Sequence, residues 1–242
     1  MAKVLPDCSF IDVHSHILPG IDDGAKNLAE SRVLIAQLRS EGAKAIICTP
    51  HYIPNTKTVS TKDENQALLD ELKAVEPNIK LYLGNELYID EDLDVFLKKG
   101  EVSTLAKSKY VLVELPMSGR YGDYEDILSY LGHKYKVILA HPERYESFQK
   151  NFKYIDRLAD LGVLFQCNYG TLMGQYGRSA EKTLKKMLKK RLVFCFGSDI
   201  HNVREDRYYK HAIEKLFKIV KNEAYFRDLI FNNPSKIILK IK

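Results

Sequence analysis

Seven short apolar runs alternate with longer amphipathic segments along the 242 residues of the chain. Each run has the length of a buried strand, and each ends shortly before polar residues whose side chains could bind a metal. Because the segments between the runs are long enough for helical crossovers, the alternation predicts βα units around a parallel sheet. The predicted strands cover residues 10–13, 45–48, 81–83, 110–113, 137–140, 163–167 and 193–196.

The amphipathic segments are predicted to be helices because their apolar residues recur at helical spacing. Asn27 and Glu30 form a capping pair that opens the first helix, and Gly42 ends it. The second helix covers residues 62–75 and stops before Pro77. The later helices are predicted at 90–98, 123–134, 148–161, 179–190, 207–220 and 225–231.

Seven βα units predict an α/β fold of one particular kind, a distorted seven-stranded (β/α)7 TIM-like barrel. Chains of this length often form one such barrel, and we find no linker, low-complexity tract or internal repeat. The sequence therefore predicts a single domain covering residues 1–242, with distortion where a strand is short.

Five histidines and four carboxylates follow the predicted strands, at the edge where such folds carry their chemistry. Polar loops explain one or two such endings, but not this many. The Asp22-Asp23-Gly24 turn could bring either carboxylate over the site. The other candidates are His14, His16, His51, Glu86, Glu114, His141, Asp199 and His201.

Nine ligand groups are too many for one ion and predict two or three divalent metals. Mixed imidazole and carboxylate ligands suit Mn, Fe, Zn or Mg. Such metals can lower the pKa of a bound water and hold the oxygens of a phosphoryl group. Arg144, in His-Pro-Glu-Arg, could offer a bidentate fork to phosphate; an ion pair with Glu143 or Asp123 is the alternative.

Composition excludes several other classes of protein. Apolar residues make up 45% and charged residues 29% of the chain, as in ordinary globular proteins. No apolar stretch approaches the roughly 20 residues that cross a bilayer, and no export signal is seen, so we expect a cytoplasmic protein that is not membrane-inserted. The net charge of +5 is modest, and the basic run at 182–191 reads as the solvated face of a helix, so no nucleic-acid partner is expected.

The four cysteines do not predict a thiol-based site. Cys8, Cys48, Cys167 and Cys195 form no C-x-x-C pair, and three of them lie in apolar strand runs. None is followed six positions later by arginine, as the phosphate-binding loop of thiol-based tyrosine phosphatases requires. A cysteinyl-phosphate mechanism is therefore not expected.

The motifs FIDVHSHILPGIDDGA, CTPHY, GNEL, VLVELP, LAHPERY and FGSDIHN, in this order, resemble the polymerase-and-histidinol-phosphatase (PHP) superfamily. Within it they resemble the CpsB/YwqE-like tyrosine-protein phosphatases of bacterial capsule and exopolysaccharide operons. The resemblance covers essentially the whole chain. It implies the PHP fold and a hydrolase that uses metal-activated water, with manganese as the preferred metal. The implied substrate is phosphotyrosine on the tyrosine autokinase of polysaccharide synthesis.

The resemblance also implies a role for each site residue. Arg144 would be the catalytic, phosphate-binding arginine, and a second arginine would be Arg204 or Arg207. One metal would be held by His14, His16, Glu114 and Asp199. A second would be held by Glu86, Glu114 and His141, with Glu114 bridging. A third would be held by Asp23, His51 and His201.

Two alternatives from other classes stay open. A small-molecule phosphatase of the same superfamily, acting on a monoester such as histidinol phosphate, would share the chemistry and differ at the mouth of the site. A non-catalytic regulatory module would share only the fold, and it fits less well because all nine ligand positions are filled.

Overall fold

The computed structural model describes residues 6–56, 58–118, 122 and 124–239. Strands and helices alternate through these residues, as the hydrophobic pattern predicts. The strands are β1 (Phe10–Asp12), β2 (Ala43–Cys48), β3 (His51–Tyr52), β4 (Lys80–Leu83), β5 (Glu86–Tyr88), β6 (Tyr110–Glu114), β7 (Lys136–Ala140), β8 (Leu164–Asn168) and β9 (Val193–Gly197). The helices are α1 (Leu28–Ser40), α2 (Lys62–Val75), α3 (Leu93–Lys99), α4 (Glu125–Gly132), α5 (Glu146–Lys150), α6 (Lys153–Asp160), α7 (Tyr169–Leu172), α8 (Gly177–Lys189), α9 (Tyr208–Val220), α10 (Glu223–Arg227) and α11 (Asn233–Ile238).

All described strand pairs are parallel, which confirms the α/β class. The strand count was wrong, however. The described strands form two sheets, one of order β1-β2-β4 and one of order β3-β5-β6-β7-β8-β9, rather than seven strands in one sheet. The predicted strands 45–48 and 81–83 lie within β2 and β4, but after interruptions at Pro50 and at Gly84 the chain forms two further short strands, β3 and β5, in the second sheet.

The physical reason for the first interruption lies in Pro50, which has no backbone N–H to donate to a neighbouring strand. Hydrogen bonds on either side of Pro50 keep the two neighbouring segments in register: Gly84 N donates to Cys48 O at 2.9 Å, and Glu86 N donates to Pro50 O at 3.1 Å. β2 and β3 therefore run beside β4 and β5 across a shared break.

The first and last strands meet just beyond their ends. Asp199 N donates to His14 O at 2.8 Å, and His16 N donates to Ile200 O at 3.1 Å. These bonds flank a single parallel bridge between Ser15 and Ile200. The described strands do not form one closed sheet, but this contact brings two sets of predicted ligands side by side.

The described part of the chain contains two clusters of buried hydrophobic residues. The larger one joins the helices to one face of the strands and includes Leu34, Ile35 and Leu38 of α1. The smaller one draws almost entirely on the opposite face of the strands, through residues such as Ile47 and Ile138. Because alternate strand residues belong to different clusters, the strands are apolar on both faces, as expected for a parallel sheet covered on both sides.

The predicted helices lie close to the observed ones, with one clear exception. Asn27 caps α1, since its side chain accepts from Glu30 N. The helix predicted at 148–161 is instead two helices, α5 and α6, because Asn151 is extended, with φ −138° and ψ 94°. Asp123, where the fourth predicted helix begins, lies outside the described residues. Within the described part of the chain, no helix is long and apolar enough to cross a bilayer, and the cytoplasmic location stays a prediction.

Candidate metal centre

The structure brings all nine predicted ligand residues together at the carboxyl ends of the strands. His14 and His16 follow β1, and Asp23 lies in the turn after them. His51 and Glu86 begin the short strands β3 and β5, just after β2 and β4 end. Glu114 ends β6, His141 follows β7, and Asp199 and His201 follow β9. Among the residues that the structure describes, four overlapping groups of donor atoms lie close enough to hold an ion. These are His16, Asp23, His51 and His201; His14, His16 and Glu86; His14, His141 and Asp199; and His51, Glu86 and Glu114.

Glu86 is the most central of the carboxylates. Its Oε2 atom lies 3.1 Å from His14 Nε2 and 3.4 Å from His16 Nε2. The same atom lies 3.0 Å from His51 Nδ1, and Oε1 lies 3.0 Å from His141 Nε2. Glu114 lies further out, with its oxygens 3.8 Å from His51 Nδ1 and 3.6 Å from His141 Nε2. The geometry therefore offers Glu86, as well as Glu114, for a bridging position.

Asp23 and two imidazoles form the more exposed side of the centre. Asp23 Oδ1 lies 3.2 Å from His201 Nε2 and 3.5 Å from His51 Nε2. The neighbouring Asp22 turns the other way: its Oδ2 accepts from His16 Nδ1 at 2.9 Å and from His51 N at 3.1 Å. The turn thus gives its two carboxylates different tasks, one facing the candidate metal site and one supporting a histidine behind it.

The histidine tautomers fit a bound cation. His14 Nδ1 faces Gln166 Oε1 at 2.8 Å, and the Gln166 amide is oriented by its Nε2, which donates to Asn168 Oδ1. His16 Nδ1 faces a carboxylate in the same way. Rings that donate through Nδ1 carry a lone pair on Nε2, and these two Nε2 atoms lie only 3.1 Å apart. Two facing lone pairs repel unless positive charge lies beside them.

The electrostatics also favour positive charge at this point. Burial alone would lower the pKa of His14, but Glu86 and Asp199 outweigh it and raise that pKa to about 9. Burial opposes ionisation of Glu86 too, yet the surrounding imidazoles hold its pKa well below the usual range. Burial and the nearby Glu86 raise the pKa of Glu114 to about 8. Divalent cations would supply the charge that this carboxylate-rich cluster attracts.

Three buried side-chain atoms of the ligand residues lack hydrogen-bond partners. Within the described residues these are His51 Nδ1, His141 Nδ1 and Glu86 Oε2, although imidazole nitrogens surround the last. Unsatisfied buried polar atoms are costly, so they fit a site whose donors serve a cation. Burial lowers the pKa of His141 to about 4, which keeps this imidazole neutral and able to ligate.

Two candidate ligands sit on strained backbone. His141 has φ 34° and Asp199 has φ 51°, in the left-handed region that non-glycine residues rarely adopt. Each residue comes where the chain turns sharply after a strand, and the turn directs its side chain inward to the other ligands. Strain of this kind persists where the surrounding structure holds it, and it is common at functional sites.

Arg144 lies beside the cluster rather than on the surface. Its Nη1 donates to Asp199 Oδ2 at 2.7 Å, and its guanidinium stacks on the ring of Tyr176 with Cζ 4.4 Å from the ring centre. No ion pair to Glu143 is formed, because that carboxylate is buried and accepts from Asn168 N and Thr171 Oγ1, both at 2.8 Å. The alternative pairing with Asp123 concerns a residue outside the described part.

A cavity of about 510 Å³ opens over these groups. Arg144 and Arg204 both line it, together with Met117 and Tyr176. Arg207 is not among the lining residues and is exposed to solvent at the start of α9. The structure therefore distinguishes Arg204, which lines the cavity, from Arg207, which does not; the sequence offered both as the second phosphate-binding arginine.

Several residues outside the nine assigned ligands support the site. Asp22 and Gln166 orient the histidines, and Asn168 Nδ2 donates to Asp199 Oδ2 at 2.8 Å. Asp12, fully buried, accepts from Ser198 N at 2.8 Å and so anchors the turn before Asp199. A signal existed for Asn168, which ends β8, and for Asp22, which belongs to the Asp-Asp-Gly turn, but their partners depend on the fold.

A buried set of imidazoles and carboxylates at the carboxyl edge of parallel strands defines a metal-binding α/β protein. The chain belongs to the family described as "Capsular polysaccharide synthesis, CpsB/CapC", whose model matches residues 10–239. The resemblance found in the motifs is thereby confirmed.

Known relatives cover nearly the whole chain. The tyrosine-protein phosphatase CpsB of Streptococcus pneumoniae is 29% identical over 242 residues, which are 95% of this chain and 98% of the relative. A crystal structure described as YwqE from Bacillus subtilis and CpsB from Streptococcus pneumoniae, unique metal-dependent tyrosine phosphatases, is 27% identical, covers 94% of both chains and has a TM-score of 0.81. A histidinol phosphate phosphatase of Lactococcus lactis covers 93% of this chain and 98% of its own at 15% identity, with a TM-score of 0.62, which shows a shared fold alone.

Proposed function

We propose that this chain is a metal-dependent tyrosine-protein phosphatase acting on the phosphorylated tyrosine autokinase of capsule or exopolysaccharide synthesis. The observation that carries the proposal is one cavity lined by Arg144, Arg204 and seven of the nine imidazole and carboxylate ligands, with the other two, His14 and His16, fully buried in the same ligand groups. Metal ligands and guanidinium groups facing one space suit a phosphate monoester, since both stabilise negative oxygen. Membership of the CpsB/CapC family supports the polysaccharide context.

The nine ligand residues would hold two or three divalent ions, with manganese first and Fe, Zn or Mg as alternatives. Such ions supply charge neutralisation for phosphate oxygens and make water more acidic. Following the family assignment, the three sets would be His14, His16, Glu114 and Asp199; Glu86, Glu114 and His141; and Asp23, His51 and His201. The short distances from Glu86 to four imidazoles support a larger role for that carboxylate than the assignment gives it.

Arg144 would bind the phosphate of the substrate. Its guanidinium is planar and charged, and its Nη1 contact with Asp199 leaves other N–H donors for phosphate oxygens. As the ester bond breaks, charge on those oxygens changes, and fixed donors stabilise it without reorganisation. Arg204 would be the second guanidinium, because it lines the same cavity.

The cysteines are unsuited to act as nucleophiles. Cys48, Cys167 and Cys195 are fully buried, and burial raises the pKa of all three thiols. A thiol that stays protonated and out of reach of solvent does not attack phosphorus. This supports hydrolysis by water at the candidate metal centre.

Turnover should be compared on a tyrosine-phosphorylated peptide, the same peptide phosphorylated on serine, and histidinol phosphate. Metal content should be measured on the same preparation. The proposal expects the phosphotyrosine peptide to be hydrolysed fastest, and a His14→Ala/His16→Ala double variant to lose both metal and turnover. Preferred hydrolysis of histidinol phosphate would instead establish the small-molecule alternative, and a metal-free protein with no turnover would favour the regulatory module.

The protein partner needs its own measurement. We propose that the single domain, residues 1–242, recognises phosphorylated tyrosines on the autokinase encoded with the polysaccharide genes. The phosphorylated kinase should lose phosphate when mixed with the wild-type chain but not with Arg144→Ala. Equal dephosphorylation of an unrelated tyrosine-phosphorylated protein would argue against this partner.

A further inference from the structure

Arg144 is held on one face and one edge. Tyr176 lies against the face of the guanidinium, with Cζ 4.4 Å from the ring centre, while Asp199 pairs with Nη1 at the edge. The Arg144 side chain is 23% exposed, so it is largely enclosed but reaches the cavity. Among the described residues, its side chain forms no hydrogen bond other than the one to Asp199. The direction of the remaining donors therefore depends on the ring beneath them.

Tyr176 is itself fixed by the site. Asn168 Nδ2 donates to the Tyr176 hydroxyl at 3.4 Å and to Asp199 Oδ2 at 2.8 Å. One amide thus locates both supports of the arginine, the aromatic face and the carboxylate edge. Because the same amide accepts from Gln166, which faces His14, the arginine is connected to the ligand cluster through a short chain of side chains.

The backbone leaves just enough room for the ring. A Cβ atom placed on Gly170 would lie 3.0 Å from Tyr176 Cε2 and 2.5 Å from the side-chain amide of Gln175. The turn that carries Tyr176 closes back on the same glycine, since Gln175 N donates to Gly170 O at 3.1 Å. The absence of a side chain at Gly170 lets the ring reach its position under the arginine.

We propose that Tyr176 is a positioning residue that acts through Arg144 and sets the orientation in which its guanidinium meets the substrate phosphate. The inference rests on the proposed phosphatase function and extends it to a residue outside the ligand and arginine set. A cation stacked on an aromatic face is attracted by the ring's electron density and loses rotational freedom. Stacking on Tyr176 would therefore hold the N–H donors of Arg144 in the orientation that binds phosphate. Small displacements from that orientation lower the reaction rate.

A double-mutant cycle tests this role. Tyr176→Leu should lower kcat/KM on a phosphotyrosine peptide roughly 3- to 30-fold, the range expected for one cation–π contact. Tyr176→Phe keeps the ring and should stay within about twofold of the wild type. In an Arg144→Ala background, Tyr176→Leu should lower kcat/KM by less than about twofold. Loss of the same factor in both backgrounds would overturn the proposal, as would a Phe variant as slow as the Leu variant.

A second variant moves the ring without deleting it. Gly170→Ala should displace Tyr176 and lower kcat/KM by a larger factor in the wild-type background than in Arg144→Ala, where only its effect on Gln175 beside Arg204 remains. Phe152→Leu is the matched control, because it also removes an aromatic ring that contacts a cation. Lys186 Nζ lies 4.0 Å from the centre of the Phe152 ring, and neither residue lines the cavity. Phe152→Leu should leave kcat/KM unchanged. Thermal denaturation and metal content of each variant show whether the fold and the centre are intact.

Binding of inorganic phosphate to the metal-loaded protein separates this inference from the proposed function. If the wild type binds phosphate but hydrolyses no phosphotyrosine, the proposed function fails while the cycle can still be read from phosphate affinity. The positioning role then predicts weaker phosphate binding in Tyr176→Leu, dependent on Arg144. Phosphate affinity equal in wild type and Tyr176→Leu would overturn it.

Discussion

Asp22 Oδ2 accepts from His16 Nδ1 at 2.9 Å, so a carboxylate outside the predicted ligand set orients a histidine inside it. The same oxygen accepts from His51 N, and Oδ1 accepts from Gly24 N. With its oxygens occupied in this way, Asp22 fixes the ring of His16 with Nε2 facing the other donors. Such partners raise the basicity of the ligating nitrogen and hold it in place.

Asp22→Asn should weaken metal binding without abolishing it. The amide keeps the shape of the side chain but removes the charge that orients and polarises His16, so metal affinity should fall about 10- to 100-fold. Titration of the chelator-treated protein with Mn²⁺, followed by calorimetry, measures this. Asp126→Asn, an exposed residue of α4, serves as the control and should bind like the wild type. Unchanged affinity in Asp22→Asn would remove this residue from the support of the centre.

Glu86 and Glu114 are the two candidates for the carboxylate that bridges two metal ions. Glu86 approaches four imidazoles within 3.4 Å, whereas the contacts of Glu114 with imidazoles are 3.6 Å and 3.8 Å. Because a bridging carboxylate binds two metal ions, its substitution by glutamine should lower the metal content by more than one ion per chain. We expect Glu86→Gln to lose at least as much metal as Glu114→Gln in elemental analysis. A fully metallated Glu86→Gln protein would return the bridge to Glu114 alone.

The strand-end pattern predicted which residues would meet, because carboxyl ends of parallel strands share one edge whatever the details of the sheet. It could not predict that the chain forms a further strand, β3, in the second sheet after Pro50, since that strand exists through its pairing with β5. Nor could it assign Asp22 and Asp23, which are adjacent in sequence and differ only through the turn geometry. Tyr176 was missed because its role arises from a loop folding under Arg144, a contact with no periodic signature.

Activity should depend on divalent metal and survive thiol alkylation. The three strand cysteines are fully buried, and burial raises the pKa of each thiol, so iodoacetamide at neutral pH should find no reactive thiolate among them. Burial also raises the pKa of Cys8, the half-buried one. Chelation should abolish turnover, and added Mn²⁺ should restore it. Inactivation by iodoacetamide together with resistance to chelators would refute the metal-centre hypothesis.

The acid side of the stability profile should depend on Asp94. Hydrogen bonds from Lys134 and Lys98 lower the pKa of this carboxyl from 3.8 to about 2. Because the pKa of this carboxyl is lower in the folded protein than in the unfolded chain, its ionised form stabilises the fold at pH values above the unfolded-state pKa. This contribution is lost as pH falls from about 4 towards 2. Asp94→Asn should therefore lower the free energy of unfolding at pH 7, and its difference from wild type should shrink towards pH 3.

Chemical denaturation at several pH values measures this difference. Glu71→Gln is the control, because this exposed carboxylate of α2 forms no hydrogen bond or ion pair within the described residues. It should change the unfolding free energy little at any pH. A constant difference between wild type and Asp94→Asn from pH 7 to pH 3 would show that the two lysines do not hold the carboxylate in its charged form.

The second phosphate-binding arginine should be Arg204. Its backbone is anchored to α1, since Arg204 N donates to Gln37 Oε1 at 3.0 Å. Its guanidinium lines the cavity, lies 5.7 Å from the ring centre of Tyr208, and faces the amide oxygen of Gln175 when that group is oriented to satisfy both neighbours. Arg204 Nε is buried without a hydrogen-bond partner among the described residues.

Arg204→Ala should lower kcat/KM on a phosphotyrosine peptide roughly 10- to 100-fold, the effect of losing one hydrogen bond to a charged group. Arg207→Ala removes an equal charge from an exposed position outside the cavity and should stay within about twofold of the wild type. Arg204→Lys retains the charge without the planar fork and should recover only part of the loss. Equal losses in the two alanine variants would mean that net positive charge at the mouth, rather than a placed guanidinium, binds the phosphate.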